Sequence, residues 1–322
     1  MIRRRTVLVN APSRLHFGLL SFGHPDGRQF GGIGAMIDKP GVAVRVSPAA
    51  SFTSINDPEN RIHAIADAWR ESVWQADLPL CEIEVLAAPP LHTGLGVGTQ
   101  LALAVSLALD AFDEREPCEI EELAIRVGRG VRSAVGTYGF QCGGLIAELG
   151  KLDTEEIAPL YDWHAIPEDW RFVLVSPSHE PGLSGNSERQ AFAELPPVPA
   201  SVTEQLTKEI CEQMLPAAAD SDFDRFSNSL YEYGNLAGWC FEKIQGGAYN
   251  GERAERLVKL IRELGIRGVG QSSWGPTLFV LCRNDSDALQ LRNELLNDRH
   301  AAPTEVVIAP PNNSGATLMV EP

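Results

Sequence analysis

Between Pro89 and Val105 the chain reads PPLHTGLGVGTQLALAV, with Gly94, Gly96 and Gly98 falling inside five positions. An alternating run, CEIEVLA, comes before it and an apolar stretch follows at once. Glycines let backbone N–H groups converge on one point without Cβ obstruction, and the start of a helix adds unpaired N–H groups and the positive end of its dipole. The pattern predicts a cradle for an oxygen-rich anion. Thr99 would add a hydroxyl, His92 a ring nitrogen and Gln100 an amide. No lysine follows the glycines and their spacing is not GxGxxG, which argues against a P-loop and against a nicotinamide dinucleotide site.

Other residues could face the same anion. Arg14 and His16 alternate in SRLHFGL, so on a strand they share a face. Arg129 and Arg132 in GRGVRS offer forked donors for phosphate or carboxylate. Ser272 and Ser273 sit in a glycine-flanked turn, GQSSWGP, where Trp274 could stack on an aromatic ring. Asp26, in HPDGRQFGG, is the candidate Mg2+ contact. Taken singly, each has a plainer reading: a solvated arginine, a hydrogen-bonded histidine, a core tryptophan. Their interest lies in combination with the charge of the chain. With 27 Lys and Arg against 43 Asp and Glu, the net charge is -16. That field repels nucleic acid and anionic membrane, so neither is an expected partner. It repels a phosphorylated substrate too, so any phosphate site must be built from local donors.

The elements that must position these residues are legible in outline. TVLVNAPSRLHFGLLSF reads as two strands broken near Pro12, GVAVRVSP as another, and PENRIHAIADAWRESVWQ as a helix. VGTQLALAVSLALDAFD is apolar all round and predicts a buried helix. EIEELAIRVGRGVRSAV reads as a second helix and GGLIAEL as a strand. A polar stretch before DWRFVLVSP suggests a domain boundary at residues 168/169. Beyond it come a helix N-capped by Ser201, the long helical DFDRFSNSLYEYGNLAGWCFEKI, and GERAERLVKLIRELG closed by Gly265. The tail then reads strand, strand, helix, strand, the order of a ferredoxin-like half. The class is α+β. Six scattered cysteines without metal-ligand spacing predict reduced core thiols, and the apolar stretch of MIRRRTVLVN is too short to span a membrane, so a cytoplasmic protein is expected.

Three motifs in order carry a resemblance to the GHMP kinase superfamily. They are PSRLHFGLL, the Pro90–Gly96 core of the glycine loop, and GVGQSSWGPTLFVL at 268–281. The resemblance implies an N-terminal domain (1–168) like domain 2 of ribosomal protein S5 and a ferredoxin-like C-terminal domain (169–322). The departures are informative. Kinases of the group usually read Gly-Leu-Gly-Ser-Ser-Ala, where this chain has Val97, Gly98 and Thr99, and no carboxylate lies between Glu122 and Glu148, where some members carry a catalytic Asp. GLGVGTQLALA, GRGVRSAVGT, GQSSWGPTLF and GLSGNSERQAF together resemble the β-ribofuranosylaminobenzene 5'-phosphate synthase family of tetrahydromethanopterin biosynthesis.

That resemblance implies a pentosyltransferase. It would join 4-aminobenzoate or 4-hydroxybenzoate to phosphoribosyl pyrophosphate (PRPP), releasing CO2 and pyrophosphate, with Mg2+ but neither PLP nor NAD. A homodimer is also implied. The alternatives are an ATP-dependent small-molecule kinase and a non-catalytic binding protein on the same fold. Arg132→Ala is expected to cut turnover far more than stability; near-normal activity would count against an anion role for Arg132.

Overall fold

The computed structural model describes residues 5–178, 182, 185–299 and 301–321. In chain order the first half runs β1 (Thr6–Ser21), β2 (Phe30–Pro48), β3 (Thr53–Ile55), α1 (Arg61–Ser72), β4 (Cys81–Ala87), α2 (Val97–Phe112), α3 (Ile120–Arg126), α4 (Val135–Cys142), β5 (Leu145–Glu148) and β6 (Leu160–His164). The second half follows as β7 (Arg171–Ser176), α5 (Gly185–Glu194), α6 (Ala200–Lys208), α7 (Leu215–Ala219), α8 (Phe223–Trp239), α9 (Glu242–Gln245), α10 (Glu252–Glu263), β8 (Val269–Gln271), β9 (Leu278–Cys282), α11 (Asp285–Asn297), β10 (Glu305–Ala309) and β11 (Thr317–Glu321).

The first sheet is organised by the long β1–β2 hairpin and runs β11-β1-β2-β4-β3, with β5 and β6 alongside β2. Its strands carry the β-branched alternation that fills one face: Val7, Val9, Val42, Val44 and Val46 are all buried. Against that face lies α2. Twelve of its sixteen residues are buried, as expected for a helix apolar all round. Asp110 is the one buried carboxylate of α2, held by Trp69 Nε1 at 2.8 Å and Arg126 Nη1 at 3.1 Å.

The second sheet has the order β10-β7-β9-β8, antiparallel throughout, with α10 and α11 supplying its core partners. In sequence order that is strand 4-1-3-2, the ferredoxin-like arrangement expected from the tail, and the α+β class holds. Helix α8 bridges the halves by packing on β1. The contact is close because β1 bulges between His16 and Gly18, and Gly18 has φ +150; a Cβ there would lie 2.5 Å from the Ala237 Cβ. Tyr233 donates its hydroxyl hydrogen to the Gly18 carbonyl at 2.7 Å.

Four local expectations are corrected. Residues 119–135 are not one helix: α3 stops at Arg126, and Gly128 (φ +64) and Gly130 (φ +80) turn the chain before α4 begins at Val135. Ser201 is not an N-cap, since α6 starts one residue earlier, after Pro199, without a side-chain cap. The helix read over 222–244 is interrupted after Trp239 and resumes as α9. The apolar N-terminal run is not broken at Pro12 into two strands but bulges there within one, β1. All six cysteines are free thiols, and among the described residues no helix is long and apolar enough to cross a membrane.

Candidate active site

A cleft of about 640 Å3 opens where the first strand, the glycine loop, the 128–133 turn, α5 and the end of α8 meet. The glycine loop forms one wall. Its carbonyls are tied back: Leu95 O accepts the Arg14 N–H at 2.9 Å and Gly94 O accepts the Ser272 hydroxyl at 2.7 Å. Gly94 (φ +87) and Gly96 (φ +71) supply the left-handed turns this needs, and a Cβ on Gly94 would sit 2.4 Å from Ser272 O. The forward side is left to N–H groups. Those of Thr99 and Gln100 bond to Gly96 O, while those of Gly96, Val97 and Gly98 donate to no described residue. Helix α2 therefore begins without a side-chain cap and without an acidic residue in its first turn. An uncapped, positively polarised helix mouth open to a cleft is an anion site in waiting.

The charge around it is the reverse of the chain's. Arg14, Arg61, Arg129, Arg132 and Arg189 all line the cleft, and among its described lining residues Glu188 is the lone carboxylate. Arg61, the first residue of α1, was not singled out from sequence. Glu59 holds it at 2.7 Å, it meets the His92 ring at 3.1 Å, and its Nη1 lies 3.1 Å from where a Gly98 side chain would begin. Burial, with repulsion from nearby Arg61 added, lowers the pKa of Arg129; its buried Nε has no partner among the described residues. Arg14 Nε is likewise buried and unpaired, and burial lowers that guanidinium to about 10, with Glu148 and Glu188 opposing. Two buried guanidinium nitrogens beside the cleft, without a partner among the described residues, are donors that an anion would satisfy.

The opposite wall is aromatic. Phe192, Phe241 and Trp274 meet edge to face, with ring centroids 4.9–5.9 Å apart. Arg132 joins the two walls: its guanidinium lies 4.7 Å over the Phe192 ring and 2.5 Å from Glu188, whose carboxylate also accepts from Trp274 Nε1 at 3.0 Å. Trp274 is thus in the cleft wall but packed by its neighbours, a partner for a ring at its edge rather than an open stacking platform.

The other expected residues divide. Arg14 and His16 both line the cleft, as their alternation predicts. His16 is buried with Nε2 unpaired, and burial, with Arg14 adding, holds its pKa well below the usual value, so the ring is neutral. His92, Thr99 and Ser273 also line it. Ser272 does not: fully buried, it accepts the His16 N–H at 3.0 Å and fastens the second glycine turn to the first. Gln100 does not either, because its amide donates to Gly136 O at 2.8 Å, tying α2 to α4. Asp26 is exposed on the His24–Gly27 turn, away from the cleft lining. Of GLSGNSERQAF, Leu183 and Ser184 lie outside the described residues.

A resident divalent cation fits this donor set poorly. Hard cations want carboxylate and carbonyl oxygens; here Glu188 is committed to Arg132 and Trp274. Among the described residues no three His, Cys, Asp or Glu side chains gather to hold a metal.

Behind the arginines lies Glu148, a residue that sequence inspection passed over. Fully buried on β5, it accepts the Ala134 N–H at 2.8 Å and so anchors the far end of the 128–133 turn. Burial raises its carboxyl to about 7, against the opposing pull of hydrogen bonds and Arg14. Between the unfolded value of 4.5 and about 7 the folded chain holds the extra proton, so stability falls as pH rises through that window. Measured against Glu148→Gln, the wild type should lose on the order of 3 kcal/mol from about pH 5 to about pH 8 in denaturant unfolding; His16, whose lowered pKa gives the opposite slope, contributes equally to both and drops out of the difference. An unchanged slope in that variant would place the titration elsewhere.

Comparison with known proteins agrees with this architecture. Residues 214–301 match the family described as GHMP kinases C terminal. Over 306 residues the chain is 29% identical to the β-ribofuranosylphenol 5'-phosphate synthase of Archaeoglobus fulgidus, covering 90% of each chain. It is 26% identical over 294 residues to the same-named protein of Methanothermobacter thermautotrophicus, covering 85% of this chain and 88% of the relative. Among solved structures, the mevalonate pyrophosphate decarboxylase of Streptococcus pyogenes superposes with a TM-score of 0.68 at 14% identity, covering 96% of this chain and 97% of the other. The homoserine kinase of Cytophaga hutchinsonii gives 0.61 at 15% identity, covering 98% and 97%.

Proposed function

We propose that this chain, a GHMP-superfamily protein similar over most of its length to archaeal β-ribofuranosylphenol 5'-phosphate synthases, is a pentosyltransferase that joins PRPP to a para-substituted benzoate. The observation that carries the reading is the two-walled cleft: a cluster of arginines, two of them with a buried nitrogen that has no partner among the described residues, and a bare helix mouth on one side, an aromatic wall on the other, in a chain of net charge -16.

The chemistry asks for little else. The bond from ribosyl C1 to the pyrophosphate oxygen breaks, and its electron pair leaves with pyrophosphate. The ring carbon bearing the carboxylate supplies the pair for the new C–C bond, pushed by the para substituent. The bond to the carboxylate then breaks, its pair returns to the ring and CO2 departs. Loss of CO2 takes the place of proton loss, so the sequence has no net proton transfer and needs no catalytic carboxylate base. The absence of a kinase-type Asp is consistent with that. Arg14, Arg61 and Arg129 with the α2 amides would neutralise the departing pyrophosphate, and preorganised donors of this kind are the main source of rate. Any Mg2+ enters with the diphosphate as part of the substrate. The aromatic wall would hold the acid face to face with the ribosyl carbon, a positioning task that costs Coulomb energy unless donors surround both anions.

The test is release of CO2 from carboxyl-labelled 4-hydroxybenzoate or 4-aminobenzoate, with stoichiometric pyrophosphate, on adding PRPP. ATP-dependent phosphorylation of a small alcohol with no CO2 would instead support the kinase reading, since the same glycine cradle suits nucleotide phosphate.

A further inference from the structure

Arg61 is a long, rotamer-rich side chain at the first position of α1, and it lines the cleft only because its guanidinium is held. Its nitrogens are divided between neighbours. Nε and Nη2 both donate to one carboxylate oxygen of Glu59, at 3.2 and 2.7 Å. Nη2 also meets the His92 ring at 3.1 Å. That leaves Nη1 for the cleft: it lies 3.1 Å from where a Gly98 side chain would begin, at the first turn of α2. The backbone is bent to allow this. Glu59 (φ +54, ψ +28) and Asn60 (φ +55, ψ +40) are successive non-glycine residues in the left-handed region, which such residues enter singly and at a cost. The turn sets the Glu59 carboxylate beside a side chain only two residues on. It does not cap α1, since Asp57 already takes the Ile62 N–H through its two carboxylate oxygens at 3.0 and 3.1 Å. The Arg61 hydrogen bond holds the Glu59 carboxyl below the usual range, so it is fully charged at neutral pH.

We propose that Glu59 is a positioning residue: it grips the Nε edge of Arg61 so that Nη1 faces the pyrophosphate group at the mouth of α2. The proposal rests on the reading of that mouth as the pyrophosphate site. The rival is an ordinary surface ion pair, for Glu59 is half exposed and such pairs contribute little. The two differ in sign. A carboxylate beside a bound polyanion repels it, so deleting a bystander strengthens anion binding. Deleting the residue that aims Arg61 weakens it, because the arginine must then be ordered by the ligand.

The experiment is calorimetric titration of inorganic pyrophosphate onto the full chain, as wild type, Glu59→Ala, Arg61→Ala and the double variant, with Glu59→Gln beside them. Glu59→Ala should weaken binding about tenfold, the scale of a coupling between residues in contact. In the Arg61→Ala background the same substitution should instead tighten binding a few-fold, since only repulsion is left to remove. Glu59→Gln keeps an oxygen to accept from Arg61 and loses the charge, so it should bind at least as well as the wild type. Unchanged or tighter binding in Glu59→Ala overturns the proposal. So does equal weakening in both backgrounds, the mark of a defect that does not pass through Arg61. Should Arg61→Ala bind too weakly to titrate, the sign in Glu59→Ala and the rescue in Glu59→Gln decide by themselves. A wild type that binds no pyrophosphate overturns the anion reading of the helix mouth, and this proposal with it. CO2 release plays no part in the titration, so the pentosyltransferase reading and the role of Glu59 fail separately.

Discussion

Arg129→Ala is expected to lower kcat/KM for PRPP by roughly 10^2- to 10^3-fold, the scale of removing one partner from a buried charge pair, while leaving the fold as stable or more so. The two signs follow from one geometry. In the unliganded protein Arg129 is a liability: its Nε is buried without an acceptor, and Arg61 repels it. A buried cation without a counter-charge destabilises a fold, so its removal relieves strain rather than adding it. Its backbone N–H, bonded to Ala124 O at 2.8 Å, is untouched by the substitution and keeps the turn in place. An anion between the two guanidinium groups reverses the balance. The thermal stabilisation that pyrophosphate gives the wild type should therefore vanish in the variant. A variant that loses stability in step with activity would show that Arg129 is structural.

Gly98→Asp is expected to abolish measurable turnover, with an increase in unliganded stability. Gly98 has an ordinary helical conformation, and the nearest atom to an added Cβ is Arg61 Nη1 at 3.1 Å, the end of a flexible side chain. An aspartate in the first turn would cap α2, complement its dipole by about 0.3–1 kcal/mol and draw Arg61 to itself. The same carboxylate would stand where the substrate's phosphate must go. At about 5 Å and an effective dielectric near 20, that repulsion alone is about 3 kcal/mol, before the lost donors are counted. Gly98→Asn, of equal size and without charge, should retain part of the activity. Full activity in Gly98→Asp would remove the helix mouth from the mechanism.

Part of this site was legible in the residues themselves. The glycine loop and its helix announce themselves because φ-permissive residues ahead of an all-apolar run have few other uses. Arg14 and His16 share a face by strand periodicity. Arg61 was hidden because PENRIHA reads as the exposed start of an amphipathic helix, and only the β3–α1–β4 crossover delivers it to the Gly98 helix start. Phe192 comes from α5 and Phe241 from the break between α8 and α9, and only tertiary packing makes them a wall. Gln100 and Asp26 mislead in the opposite sense: the place of Gln100 beside the glycine loop suggests that it faces the anion, when its amide bonds across to α4, and Asp26, the candidate Mg2+ contact, sits on an exposed turn. The break in the 119–135 helix did carry a signal, since Gly128 and Gly130 flank Arg129, and paired glycines mark turns. β11 carried almost none: its five residues are all exposed, so TLMVE shows no alternation to read.

That last strand has a consequence for how the protein is made. Thr6 pairs with Glu321, so nearly the whole polypeptide separates the partners of the first sheet's outermost ladder. On the ribosome β1 is made long before β11 and waits, its outer rim of peptide groups open to strangers, until β11 follows. A chain that stops short of β11 is thus a candidate for sticky intermolecular pairing, and a proline placed within β11 would hinder the closing step and lower the yield of correctly assembled protein.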